Sequence, residues 1–156
     1  MPSWKEYKET GRLGQEERLR RLGLLVVDDE DRIVASLAET FAEVFELFPT
    51  ANSLEGLELF KRHRPALILS DQRMPGLTGI ELFSKIKEID PSTVRILLTG
   101  YSDINVVISA LNQGLCWKYV TKPWDHDELV SLLRKGARTY LEQAGENAAQ
   151  FKILGL

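Results

Sequence analysis

The sequence predicts an α/β fold, a doubly wound five-stranded parallel sheet with helices on both faces, and two observations predict it. Short apolar runs at residues 24–27, 67–69, 94–98 and 115–120 alternate with longer stretches of helical period, the signature of βαβ units. Four of the apolar segments run into a reactive residue: Val27 into Asp28 and Asp29, Ser70 into Asp71, Leu98 into Thr99, and Thr121 into Lys122. The parallel arrangement puts the carboxyl ends of all strands on one edge, where open sheets of this kind hold their ligands. Three carboxylates, a hydroxyl and an amine are therefore expected to meet at one site.

The first strand begins at Gly23. Ile33, Leu37, Phe41, Val44 and Phe48 then recur at steps of three or four and predict one long first helix that Pro49 stops. A second strand is placed around Thr50 to Asn52, the weakest of the five. Thr78 with Glu81, and Asp125 with Glu128, each set an N-cap oxygen three residues before a carboxylate that can bond back to the cap amide, so two helix starts are marked. Asp103 begins a further helix carrying Ile104, Val107, Ile108 and Leu111, and Gly114 closes it where a left-handed residue is favoured.

The chain of 156 residues fits one compact domain with short extensions. Residues 1–22 form a charged N-terminal extension with six basic and four acidic residues, helical over Gln15 to Leu22, where Leu19 and Leu22 are three apart and glutamates precede arginines. Trp4 and Tyr7 offer docking side chains within it. Residues 23–138 form the folded domain, and 139–156 a C-terminal extension or linker, readable either as a continuing helix through Tyr140, Leu141 and Ala144 or, given Gly136 and Gly145, as a frayed end.

Composition excludes several function classes. With 20 basic against 23 acidic residues and a net charge of -3, no basic footprint for direct nucleic-acid contact is expected. The single cysteine, Cys116, lies in an apolar stretch, reads as a small core residue and fits a reducing compartment. No apolar run approaches the roughly eighteen residues of a membrane span, so a cytoplasmic protein without membrane contact is expected. His63 and His126 have no ligand-like spacing and read as surface residues; Met74 is expected to pack under the Pro75 turn.

The clustered residue types suit binding of a hard divalent cation and transfer of a phosphoryl group onto a carboxylate, with Asp71 the acceptor. Three adjacent carboxylates repel, so without a cation at least one should have a raised pKa, and a magnesium (Mg2+) requirement follows. Two carboxylates plus a backbone carbonyl suffice as protein ligands. Lys122 can cover one phosphoryl oxygen and the Thr99 hydroxyl with a neighbouring amide another, while Gly100 leaves the approach uncrowded.

At these residues the chain resembles the receiver domain of two-component response regulators. The motifs are Val26-Val27-Asp28-Asp29-Glu30, Asp71-Gln72-Arg73-Met74-Pro75-Gly76, Thr99-Gly100 and Lys122-Pro123, and the resemblance covers about residues 23–138. It implies the flavodoxin-like strand order 2-1-3-4-5, which a chemotaxis receiver of this family exemplifies. It also implies that Asp71 takes a phosphoryl group from the phosphohistidine of a histidine kinase or phosphotransfer protein. Asp28, Asp29, Asp71 and the Arg73 carbonyl would hold Mg2+, Thr99 and Lys122 would read the phosphate, and Gly100 and Pro123 would shape the surrounding loops. Thr99 and Tyr119, three residues before the lysine, would form the conformational switch. Its readout surface, about residues 104–133, would meet an effector protein or output domain or form a homodimer through the fourth helix, fifth strand and fifth helix. Such a domain is a phosphoacceptor, not an enzyme acting on external substrates.

Two features depart from the commonest pattern. One extra residue lies between Gly114 and Lys122, in the approach to Tyr119. Arg73 and Tyr101, each two residues after a motif residue, are large where the family's hydrolytic water passes, and slow autodephosphorylation is expected. The stretches 99–103 and 121–125 are similar to those of receivers attached to cyclic-dinucleotide phosphodiesterases or nucleotide cyclases. Two other readings are a phosphorylation-independent interaction module with the same fold and an aspartyl-phosphate hydrolase of the haloacid dehalogenase type. The second normally needs an acidic residue where Arg73 stands.

Overall fold

A computed structural model of the chain describes residues 22–144. The helix expected over Gln15 to Leu22 falls outside this range apart from Leu22, as do Trp4, Tyr7 and the tail from Gly145; the Tyr101 side chain is also outside the described set.

Among the described residues five strands and five α-helices alternate: β1 (Gly23–Val27), α1 (Asp31–Phe41), β2 (Glu46–Thr50), α2 (Ser53–His63), β3 (Leu67–Asp71), α3 (Gly79–Ile89), β4 (Val94–Thr99), α4 (Ile104–Asn112), β5 (Lys118–Thr121) and α5 (His126–Gln143), with a 3-10 turn at Tyr101–Asp103 before α4. All strand pairs are parallel and the order is β2-β1-β3-β4-β5. The doubly wound sheet expected from the sequence is therefore present.

Strand alternation divides the core in two. Leu24, Val26, Leu67, Leu69, Val94, Ile96 and Leu98 point to the face covered by α1 and α5, and meet Leu37, Phe41, Leu129, Leu133 and Ala137. Leu25, Val27, Ile68 and Leu97 point to the other face and meet Phe60, Phe83, Ile86 and Val107 of α2, α3 and α4. Burial on both faces makes β1, β3 and β4 read as continuous apolar runs. Each fully buried Leu or Phe contributes about 1.5–3 kcal/mol relative to exposure.

Two expectations are corrected. The first helix ends at Phe41 rather than running to Pro49, and the second strand is Glu46–Thr50 rather than Thr50 to Asn52. A residue before proline is pushed out of the α region, so Phe48 is extended and cannot end a helix. Pro49 itself is tolerated because β2 is an edge strand, where a missing N–H breaks no further ladder. Asn52 is not a strand residue: its side chain caps α2 by accepting the Glu55 N–H at 3.0 Å. The last strand, Lys118–Thr121, starts later than the apolar run at 115–120, and the Gly114 and Leu115 carbonyls ahead of it accept from the guanidinium of Arg95.

The expected caps at Thr78 and Asp125 are present, Thr78 with its reciprocal Glu81 bond. Gly114 adopts φ +70, as the end of α4 requires. α5 continues unbroken to Gln143 with Leu141 buried. Gly136 does not interrupt it, because a Cβ there would come within 3.0 Å of Leu67 and 3.2 Å of Trp117 and Val94. The glycine buys a close approach of helix to sheet. Cys116 is buried, as expected, with its thiol pushed up to about 11 by burial. His63 and His126 are exposed, His63 stacked 4.4 Å from the Phe48 ring, and Met74 packs at the margin of the α2–α4 core. Among the described residues no helix is long and apolar enough to cross a membrane.

Candidate functional site

Because β1 and β3 are neighbours, the residues ending them face each other across the carboxyl edge. Asp28 follows β1 and is fully buried. Its Oδ1 accepts the Glu30 N–H at 2.9 Å, at the start of α1, and its Oδ2 accepts from Lys122 Nζ at 2.7 Å. Asp29 is exposed. Asp71 ends β3; its Oδ1 accepts the Gln72 N–H at 2.9 Å and lies 3.2 Å from the same Lys122 ammonium. Carboxylate oxygens of Asp28, Asp29 and Asp71 lie within 4.8 Å of one another.

Lys122 reaches this cluster from the loop after β5, where its own N–H donates to the Thr99 carbonyl at 2.9 Å and its peptide bond to Pro123 is cis. Thr99, at the end of β4, is fully buried and donates its hydroxyl to the Gly100 carbonyl at 3.0 Å. A Cβ on Gly100 would meet nothing within 4 Å, so the approach beside Thr99 is open. Pro123 is exposed in the β5–α5 loop, where it lines a groove of about 420 Å³ with Tyr119 and Trp124. Tyr119 is 37 % exposed.

Burial raises the Asp71 carboxyl above the usual aspartate range, the Asp28 charge raises it further, and Lys122 opposes both. Burial alone would lower Lys122, but its hydrogen bond to Asp28 and the charges of Asp71 and Asp28 outweigh that and raise it. One ammonium among three carboxylates leaves the cluster net negative. That imbalance and the all-oxygen donor set fit a hard divalent cation such as Mg2+.

Several supporting residues carry no obvious sequence signal. Ser53, at the start of α2, donates its hydroxyl to the Pro75 carbonyl at 2.8 Å and accepts the Leu77 N–H at 2.9 Å, fixing the loop after Asp71. In the same loop Gly76 takes φ +85, and a Cβ there would fall 2.8 Å from the Ser53 hydroxyl. Gln72 is buried and accepts the Ile80 N–H at 3.0 Å, tying β3 to α3. Gly79 opens α3 where a Cβ would collide with the Asp71 carbonyl. Asp103 stands at the N-cap position of α4 without capping it, because both its oxygens accept from Arg73 Nε at 2.9 and 3.1 Å. The Arg73 side chain is 71 % exposed.

Comparison with known proteins places this geometry. The family described as the response regulator receiver domain matches residues 24–134. The hydrogenase transcriptional regulatory protein HoxA of Cupriavidus necator is 38 % identical over 112 residues, covering 72 % of this chain and 23 % of that protein. The chain thus spans about a quarter of the HoxA relatives it matches. Sporulation initiation phosphotransferase F of Bacillus subtilis is 33 % identical over 113 residues, covering 72 % of this chain and 90 % of its own length. The crystal structure of the signal receiver domain of an HD domain-containing protein from Pseudomonas fluorescens Pf-5 aligns with a TM-score of 0.75 at 29 % identity, covering 82 % of this chain and 95 % of that one. The resemblance seen in the sequence is thereby established, and the chain belongs to the response regulator receiver domain family.

Proposed function

We propose that Asp71 accepts a phosphoryl group from the phosphohistidine of a histidine kinase or phosphotransfer protein, and that the modified domain signals through a changed interaction surface. The observation that carries this reading is the position of Lys122, whose single ammonium spans Asp28 at 2.7 Å and Asp71 at 3.2 Å. Asp71 Oδ1 is engaged by Lys122 and the Gln72 amide, which leaves Oδ2 as the attacking oxygen. Oδ2 forms the new bond to phosphorus, the phosphorus–nitrogen bond breaks, and its electron pair returns to the imidazole. Lys122 holds the attacking carboxylate in place and offsets charge on one phosphoryl oxygen. Asp28, Asp29, Asp71 and the Arg73 carbonyl would hold Mg2+, which supplies divalent charge against the phosphoryl oxygens when bound.

Thr99 contributes a second donor once its hydroxyl leaves the Gly100 carbonyl, and Tyr119 on the adjacent β5 follows it inward as the switch. The readout surface is α4, β5 and α5, where Ile108 is 47 % and Tyr119 37 % exposed; it meets an effector protein or output domain, or a second copy of the chain. HoxA is named a transcriptional regulatory protein, and an output of that kind would supply any DNA contact from outside this domain. The domain acts as a phosphoacceptor and assists its own phosphorylation and dephosphorylation. Arg73, held by Asp103, shields the aspartyl phosphate from water and makes its hydrolysis slow.

Intact mass after incubation with acetyl phosphate and magnesium tests the reading. One phosphoryl adduct is expected on the native chain, and none on Asp71→Asn or in the presence of a chelator. An unmodified native chain that also fails to bind beryllofluoride would leave the phosphorylation-independent interaction module.

A further inference from the structure

The amino end of β4, opposite the acidic cluster, carries a second unusual grouping. Arg95 is 6 % exposed, with its guanidinium donating to three backbone carbonyls: Nε to Leu115 at 2.8 Å, Nη1 to Thr93 at 3.0 Å and Nη2 to Gly114 at 3.1 Å. A guanidinium has five N–H groups, so these bonds leave two over. Carbonyl dipoles satisfy donors but supply no net charge. Among the described residues Arg95 forms no ion pair with a carboxylate. Asp90 acts on it only through space, its Oδ1 being taken by the Ser92 amide and hydroxyl at 3.0 and 2.6 Å. A buried cation without a carboxylate in contact with it is costly to a fold.

Beside it, the Thr93 hydroxyl is buried and has no hydrogen-bond partner among the described residues. Thr93 and Arg95 line one cavity of about 230 Å³, together with Pro91, Cys116, Trp117 and Gln143. Charges of both signs stand close to its lining: Lys118 Nζ lies 5.7 Å from the Trp117 ring centroid, Lys87 Nζ donates to the Gln113 carbonyl at 3.4 Å, and Asp90 precedes Pro91.

We propose that this cavity binds a small carboxylate anion. One negative charge pairs with the one buried guanidinium, whereas a dianion would bring an excess charge to a guanidinium on which the Asp90 carboxylate already acts. The two spare N–H groups and the Thr93 hydroxyl match the acceptor capacity of a carboxylate. A role for Arg95 as a strut for the loop before β5 accounts for three of its N–H groups, but neither for the lack of a carboxylate in contact with it nor for the hydroxyl without a partner among the described residues. The site is independent of the phosphoryl-acceptor reading and gives the domain a second input, one that stiffens the Gly114–Leu115 loop leading into β5.

The test uses the full 15N-labelled chain without divalent metal, titrated with sodium acetate at an ionic strength held constant with sodium chloride. The readouts are the Arg95 Nε–H and Trp117 indole N–H resonances. Acetate is expected to shift both saturably and chloride to leave them in place. Thr93→Val keeps the shape of the side chain while removing its hydroxyl, and is expected to weaken acetate about tenfold, the lower end for one hydrogen bond to a charged group. Equal, unsaturating responses to acetate and chloride would overturn the proposal. Undiminished acetate affinity in Thr93→Val, or tighter binding of dianionic phosphate at pH 8, would do so as well.

Discussion

Lys122 Nζ lies 2.7 Å from Oδ2 of Asp28, a residue 94 positions earlier in the chain and fully buried. The pair joins the end of β5 to the end of β1 across two intervening strands, so the strand order and the charge balance of the site depend on each other. Removing the ammonium leaves a buried carboxylate without its cation. Lys122→Met is expected to destabilise the metal-free protein by about 3 kcal/mol, the scale for breaking a buried pair. Denaturant unfolding should show the deficit at pH 7 and a smaller one in millimolar magnesium. Because Lys122 is raised in the fold, its contribution is complete below the ordinary lysine pKa and is lost as pH rises through the higher folded value.

Asp71 has a linkage of the same sign, set at the carboxylate end of the pH scale. Its carboxyl is raised by burial and by Asp28, so the fold holds its proton more tightly than the unfolded chain does. Stability is then lost as pH rises from the unfolded pKa through the folded one. Asp71→Asn is expected to raise the metal-free melting temperature by a few degrees at pH 7 and to leave it unchanged near pH 3, where both states are protonated. Thermal scans at the two pH values check this; an equal gain at both would remove the electrostatic explanation.

The proposed shielding of the aspartyl phosphate by Arg73, with Tyr101, is testable as phosphoryl lifetime. Arg73 follows Asp71 by two residues and is anchored to Asp103 at 2.9 Å. Replacing Arg73 and Tyr101 together with alanine is expected to accelerate loss of the phosphoryl group several-fold, measured as decay of the adduct mass after the donor is removed. An unchanged or longer lifetime would refute the shielding role.

Ser53 holds the loop after Asp71 with one bond given and one received. Ser53→Ala leaves the Pro75 carbonyl and Leu77 amide without their partner and should cost about 1–3 kcal/mol. Magnesium affinity should fall as well, because the same loop carries the Arg73 carbonyl; titration with the metal, followed by fluorescence, separates this from lost stability alone.

The sequence by itself determined the fold class and the identity of the clustered groups. β1, β3 and β4 are buried on both faces and read as apolar runs, and each ends in the residue that its strand delivers to the shared edge. Local pattern failed at β2, because Val44 and Phe48 continue a helical spacing by coincidence and an edge strand tolerates Pro49. Only the tertiary structure decided that one ammonium spans Asp28 and Asp71, that Asp103 turns from its helix to Arg73, and that Arg95 lies buried over three carbonyls. The physical reason is range. Periodicity and capping act within a few residues and are written in the local sequence, whereas these pairings are set by which strands lie side by side and how closely the helices pack on them.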